Sequence, residues 1–88
     1  MSELRNDAIH SRYERDEQGL TSWADYRLDA ERIYITHVES PPILRGTGAA
    51  GRLMAAVADD VRGRGLKVTP ICGYAAAWLR RNAPDLLA

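Results

Sequence analysis

Arg45-Gly46-Thr47-Gly48-Ala49-Ala50-Gly51 decides the fold, because the periodicity of the chain changes across it. Before it, Arg32-Ile33-Tyr34-Ile35-Thr36-His37-Val38 is rich in β-branched and aromatic residues and reads as a strand. After it, Leu53, Val57 and Val61 recur four residues apart with Ala50, Met54 and Ala58 beside them. Arg52, Asp59, Asp60 and Arg62 face the other way, so a helix starts near Gly48. Pro41-Pro42 closes the strand, since proline has no N–H to give a sheet and restricts the residue before it. A glycine-rich turn from strand to helix lets backbone approach a ligand and aims the free N–H groups of the helix start outward, which suits phosphate. No Gly-Lys-Ser/Thr follows, so the turn is not a Walker A loop, and its glycine spacing does not fit the dinucleotide fingerprint. Taken alone, such a turn is also an ordinary connection.

Working outward, Ala8 to Glu14 and Leu20 to Leu28 read as a hairpin around the polar turn Asp16-Glu17-Gln18-Gly19. Asp29-Ala30-Glu31 then turns the chain into the third strand. On the other side, Gly63 and Gly65 supply left-handed positions that stop the helix, and Leu66 to Ile71 follows as a fourth strand. From Tyr74 a short second helix runs through Arg81 and is halted by Pro84, leaving a tail. The expectation is a layered α+β fold with a mixed, mostly antiparallel sheet of about four strands and two helices.

At 88 residues the chain reads as one domain, 1–88. Hydrophobic residues at 45% and charged residues at 27% are a globular balance and exclude wholesale disorder. The formal net charge of zero hides an asymmetry. Residues 1–39 hold nine acids and five bases, a net −4, while residues 40–88 hold seven bases and three acids, a net +4. One half is therefore suited to meet an anion. Cys72 is the single cysteine, which excludes an intrachain disulfide and a cysteine metal cluster and fits a reducing, cytoplasmic setting. No signal pattern is visible and no apolar run nears the ~20 residues that span a bilayer, so no membrane association is expected. Basic residues are not interleaved with exposed aromatics, and nucleic acid is not expected as a partner.

Two residues stand where chemistry is plausible. Cys72 falls at the junction of the last strand and last helix, where helix N–H groups favour a thiolate; single cysteines are also commonly small buried hydrophobes. His37 ends the third strand beside the glycine loop, and an imidazole titrates near neutral pH. Its plainer role is a polar strand-end residue bonded to Glu39 or backbone. Glu39 would orient His37 or stay a solvated carboxylate. His10 is isolated in the first strand. Tyr74 and Trp78 are four apart on one helical face, a spacing that more often makes core contact than a cofactor box, and Trp78 reads as core. Arg80 and Arg81 either reach phosphate or complement the helix dipole.

Arg45-Gly46-Thr47-Gly48-Ala49-Ala50 fits Arg/Gln-x-x-Gly-x-Gly/Ala and resembles the pyrophosphate loop of the GCN5-related N-acetyltransferases. His37-Val38-Glu39-Ser40-Pro41-Pro42-Ile43-Leu44-Arg45-Gly46-Thr47-Gly48 is similar to His-Thr-Glu-Val-Pro-Pro-x-Leu-Arg-Gly-x-Gly of a small single-domain subgroup. Pro70-Ile71-Cys72-Gly73-Tyr74, with Arg80-Arg81 downstream, is similar to that subgroup's Pro-x-Cys-x-Tyr and Arg-Arg. Tyr26 sits where the subgroup's second strand carries tyrosine. Val38 stands for the usual threonine and Ser40 for valine, so hydrogen bonding beside His37 differs; Ala50 replaces a frequent glycine.

The resemblance implies a reduced acetyltransferase sheet without the usual N-terminal helices that wall the acceptor site. It implies acetyl-CoA as acyl donor, held by Val38, Leu44, Arg45, Gly46, Thr47, Gly48, Ala49, Ala50 and Gly51, with Arg81 reaching a phosphate. Amides near Val38 would polarise the thioester, and His37 and Cys72 would act at the reacting end. The acetyl group passes to an amine of a small molecule or a protein lysine, either directly or through acetyl-Cys72. The alternative is a coenzyme A binding module with little turnover. A homodimer would supply the missing wall.

Overall fold

The computed structural model describes residues 4–88 and contains one five-stranded sheet in the order β1-β2-β3-β4-β5. The strands are β1 (Leu4–Asp7), β2 (Arg12–Glu17), β3 (Leu20–Asp29), β4 (Arg32–Glu39) and β5 (Lys67–Pro70). Neighbours are antiparallel except β4 and β5, which run parallel and are joined by helix α1 (Ala49–Gly63). A parallel pair needs such a crossover, because a tight turn only reverses direction. Helix α2 (Gly73–Asn82) follows β5.

The sheet has one strand more than the sequence reading: the expected hairpin is β2–β3, and β1 pairs in front of it. Ala8 to Ser11, expected as strand, form a turn with Ser11 at φ 52°, and Asp7 anchors His10 through both its backbone N and Nδ1 (3.3 and 2.8 Å). Ile9 is 91% exposed there. Strand β1 carries almost no apolar pattern; Arg5 ties it to Glu14 and Asp16 on β2, and the Tyr26 hydroxyl donates to Asn6. Its pairing rests on cross-strand charges that a hydrophobic period does not reveal. The next turn is tighter than expected: Gln18 and Gly19, at φ 54° and 73°, close the β2–β3 hairpin alone.

Both helices cover one face of the sheet. Ala24, Tyr26, Ile33, Ile35 and Val68 pack there against Leu53, Met54, Val57 and Val61 of α1 and Ala75 and Leu79 of α2. The chain after α2 is not a loose tail: Leu86 is buried, and Leu87 bridges Val68 alongside β5.

One irregularity governs β4. Tyr26 pairs with Ile35 and Asp25 with His37, so Thr36 is an extra residue and β4 bulges. Before the bulge the odd residues Ile33 and Ile35 face the helices. After it, the even residues do, since Val38 pairs with inward-facing Ala24 and Ser40 is bonded to buried Ser22 (2.9 Å). His37 is thereby turned out to the open face of the sheet. The pairing with β5 also stops at Ile35 and Pro70, while β4 continues beside β3 to Glu39. The two parallel strands part at that point.

Deleting Thr36 removes the extra residue: Tyr26 still pairs with Ile35 and Asp25 with His37, and plain alternation keeps His37 and Glu39 outward and Val38 and Ser40 inward. The deletion is therefore expected to keep the register and to change unfolding free energy in urea by no more than about 1–2 kcal/mol, and a larger loss would contradict this pairing. Thr36→Ala, which keeps the bulge, is expected to stay within about 1 kcal/mol.

Candidate functional site

Where β4 and β5 part, the chain leaves β4 through Pro41 and a 3-10 turn, Pro42–Leu44, and enters α1. Leu44 is buried and fixes the start of the loop, and its carbonyl accepts from both the backbone N and Oγ1 of Thr47 (3.2 and 2.6 Å). Gly46 and Gly48 have φ of 81° and 90°, a region other L-residues enter only with strain. Gly48 is also the residue before the helix. No side chain caps α1 and its first turn contains no acid. The N–H groups of Ala49, Ala50 and Gly51 therefore open outward with the positive end of the helix dipole behind them.

These N–H groups face a cleft of about 370 Å³. Of the residues expected to hold acetyl-CoA, Val38, Leu44, Arg45, Gly46, Gly48, Ala49, Ala50 and Gly51 line it; Thr47 and Arg81 do not. Glu39, Ser40 and Tyr74 line it too, and the sequence reading had not placed them there. Tyr74, whose spacing with Trp78 favours core contact, is 44% exposed. Its hydroxyl lies 3.7 Å from where a Cβ on Gly51 would stand, as does Trp78 Nε1, so a bare position at Gly51 lets α2 close one wall. Burial, and then the neighbouring Cys72, push the Tyr74 phenol above its ordinary range, so it stays a neutral donor near pH 7. The tyrosine of Pro-x-Cys-x-Tyr was the available signal.

Charge around the cleft is paired. Glu39 accepts from His37 Nε2 on one oxygen (3.1 Å) and from Arg45 Nη2 on the other (2.5 Å). Arg45, with the His37 bond second, holds the Glu39 carboxyl below its ordinary range. Arg52 binds Glu17 with two nitrogens at 2.8 Å each, fastening the β2–β3 hairpin to the first turn of α1. Arg80 and Arg81 have no ion-pair or hydrogen-bond partner among the described residues. Arg81 continues the α2 stripe of Tyr74 and Trp78, about 10 Å along the helix from Tyr74.

Cys72 precedes α2 as expected. Its backbone N–H, like that of Ile71, donates to the Ile35 carbonyl (3.0 and 2.8 Å), placing it beside the parting of the strands. Its half-buried side chain packs against the helix-side core, while His37 lies on the open face, and no hydrogen bond joins them. On that open face a trough of about 600 Å³ is lined by Arg27, Leu28, Asp29, Tyr34, Thr36 and Ile71, next in sequence to His37 and Cys72. Among the described residues no group of acids, histidines and cysteine has metal-binding geometry, and no helix is long and apolar enough to cross a membrane.

A family model described as GCN5-related N-acetyl-transferase matches residues 12–86. Among solved structures, a GCN5-like protein from Staphylococcus aureus, determined in solution by NMR, superposes with TM-score 0.72 at 26% identity. The match covers 100% of this chain and 91% of that one. A Clostridium acetobutylicum protein described as an acetyltransferase and crystallised with acetyl-CoA shares the fold at TM-score 0.56 and 14% identity, over 82% of this chain and 55% of that one. No curated protein matches the chain.

Two outcomes follow from this geometry. Gly48→Ala would strain a φ of 90° and bring a Cβ to 3.0 Å from Arg52 Nη1; it is expected to cost about 1–2 kcal/mol in urea unfolding. In a carboxyl NMR titration, Glu39 is expected to protonate below the ordinary glutamate range, and its midpoint to rise in Arg45→Ala. Because the folded value is depressed, the pair contributes at and above the ordinary glutamate range and is lost as pH falls through the folded value.

Proposed function

Since the chain belongs to the GCN5-related N-acetyltransferase family and is an acyltransferase that uses acetyl-CoA, we propose that the cleft at the start of α1 receives the coenzyme's pyrophosphate and that His37 serves the transfer to an amine. The observation that carries this reading is the uncapped, acid-free helix start with two left-handed glycines opening onto a lined cleft. Such a place compensates an anion through N–H groups and dipole together. The residues fit the group: Arg45 lines the cleft and is largely exposed, and the first turn of α1 contains no acid to oppose an anion.

In this reading the loop amides of Gly46 and Gly48 through Gly51 bind pyrophosphate, and Arg45 adds charge. Arg81, in line with Tyr74 and Trp78 and without an ion-pair partner among the described residues, meets a more distant phosphate. The β4–β5 pairing ends at Ile35, and among the described residues no strand continues on that side, so backbone N–H groups near Val38 are open to polarise the thioester carbonyl. An amide donor aimed at a developing oxyanion is worth ~3 kcal/mol. The thioester supplies an activated acetyl group. The acceptor approaches from the open face and gives up its ammonium proton to His37; the freed lone pair attacks the acetyl carbon, the C–S bond breaks, and the leaving thiolate takes up the second nitrogen proton to become the thiol. Glu39, bonded to His37, stabilises the imidazolium formed.

Direct transfer is favoured over acetyl-Cys72, because the Cys72 side chain packs toward the core and no hydrogen bond joins it to His37. Calorimetry is expected to show coenzyme A binding that Gly48→Ala weakens. Thiol release on an amine panel is expected to fall about 10²- to 10⁴-fold in His37→Gln and less than tenfold in Cys72→Ala. An acetyl mark on Cys72 after incubation with acetyl-CoA alone would overturn direct transfer, and binding without turnover on any amine would leave a binding module.

A further inference from the structure

The two arginines at the mouth of α1 are paired in different ways. Arg52 gives Nε and Nη2 to the two oxygens of Glu17, which is only 17% exposed, so this fork is filled and fixed. Arg45 is 62% exposed and touches Glu39 through one nitrogen, while its Nε makes a longer bond to the Ser40 carbonyl (3.3 Å). Its fork is incompletely filled. Arginine binds phosphate best when two nitrogens engage together, so Arg45 gains by leaving a carboxylate it holds with one.

Glu39 lies on the wall of the same cleft as the loop. While its charge faces Arg45 it neutralises a cation that an incoming anion would use, and once an anion is present it repels that anion. Its other oxygen is already on His37. Asp25, the residue across the strand pair from His37, is engaged by Arg12 at 2.8 Å, which leaves Glu39 as the carboxylate bonded to the imidazole.

We propose that Glu39 is a positioning residue shared between coenzyme and catalysis: it holds Arg45 while the cleft is empty, yields Arg45 to the pyrophosphate, and then serves His37 alone. The exchange couples occupancy of the donor site to readiness of the base, and it weakens coenzyme binding to do so. It rests on the reading of the cleft given above.

The consequence is a split between affinity and rate. Glu39→Gln keeps the shape and a hydrogen-bond acceptor for His37 but removes the charge. Calorimetry with coenzyme A is expected to show two- to fivefold tighter binding in Glu39→Gln, the size of one exposed ion pair, shrinking as salt is raised. In Arg45→Ala background the same change is expected to have a smaller effect, and steady-state assays are expected to show a lower KM for acetyl-CoA together with a lower kcat. A purely structural glutamate would move neither in this pattern. The amide spectrum of each variant confirms folding. Unchanged or weaker coenzyme binding in Glu39→Gln, with wild type binding normally, overturns this inference alone. No coenzyme binding in the wild type overturns the cleft reading and the inference with it.

Discussion

Every part of the candidate site depends on how β4 ends. A regular strand would keep Ile33, Ile35, residue 37 and residue 39 on the helix-side face and would bury two polar side chains in the core. The bulge at Thr36 reverses that parity, so Val38 and Ser40 turn inward and His37 turns outward. The buried Ser22–Ser40 hydrogen bond then secures the second half of the strand. It also explains a sequence oddity: the serine at position 40, where the related motif has valine, finds its partner in the serine across the sheet. The same strand loses β5 after Ile35, because β5 ends at Pro70 and the chain turns into α2 through Ile71 and Cys72, both bonded to the Ile35 carbonyl. The cleft at the α1 mouth lies beyond that separation.

The charge asymmetry of the two halves has a structural counterpart. Arg45 and Arg52, which belong to the basic half and stand at the helix mouth, are both met by glutamates from the acidic half, Glu39 and Glu17. Two ion pairs thus join the basic half to the acidic half across the site. Arg80 and Arg81 remain unpartnered among the described residues, so surplus positive charge sits on α2.

Much of this was legible in the sequence, for identifiable reasons. The helix α1 announces itself through Leu53, Val57 and Val61, and the loop through glycines whose φ values require them. The parallel β4–α1–β5 unit follows from a strand, a helix and a strand in that order. What the sequence concealed is what depends on pairing rather than pattern. Strand β1 is held by Arg5 and Asn6, whose partners are distant in the chain, and the Thr36 bulge has no local composition signal. In spacing alone Glu39 and Tyr74 give no sign of the cleft: one is a strand-end carboxylate beside His37 and the other half of a helical pair with Trp78. Only the fold shows both lining one cleft.

The central claim is that an anion of the coenzyme sits on the loop and helix start. Amide chemical-shift mapping on ¹⁵N-labelled protein during addition of coenzyme A tests it most directly. The account predicts the largest shifts at Gly46, Gly48, Ala49, Ala50 and Gly51, with smaller ones at Val38 and Glu39. Shifts confined to the open-face trough around Arg27, Tyr34 and Ile71, or none at saturating coenzyme, would contradict it.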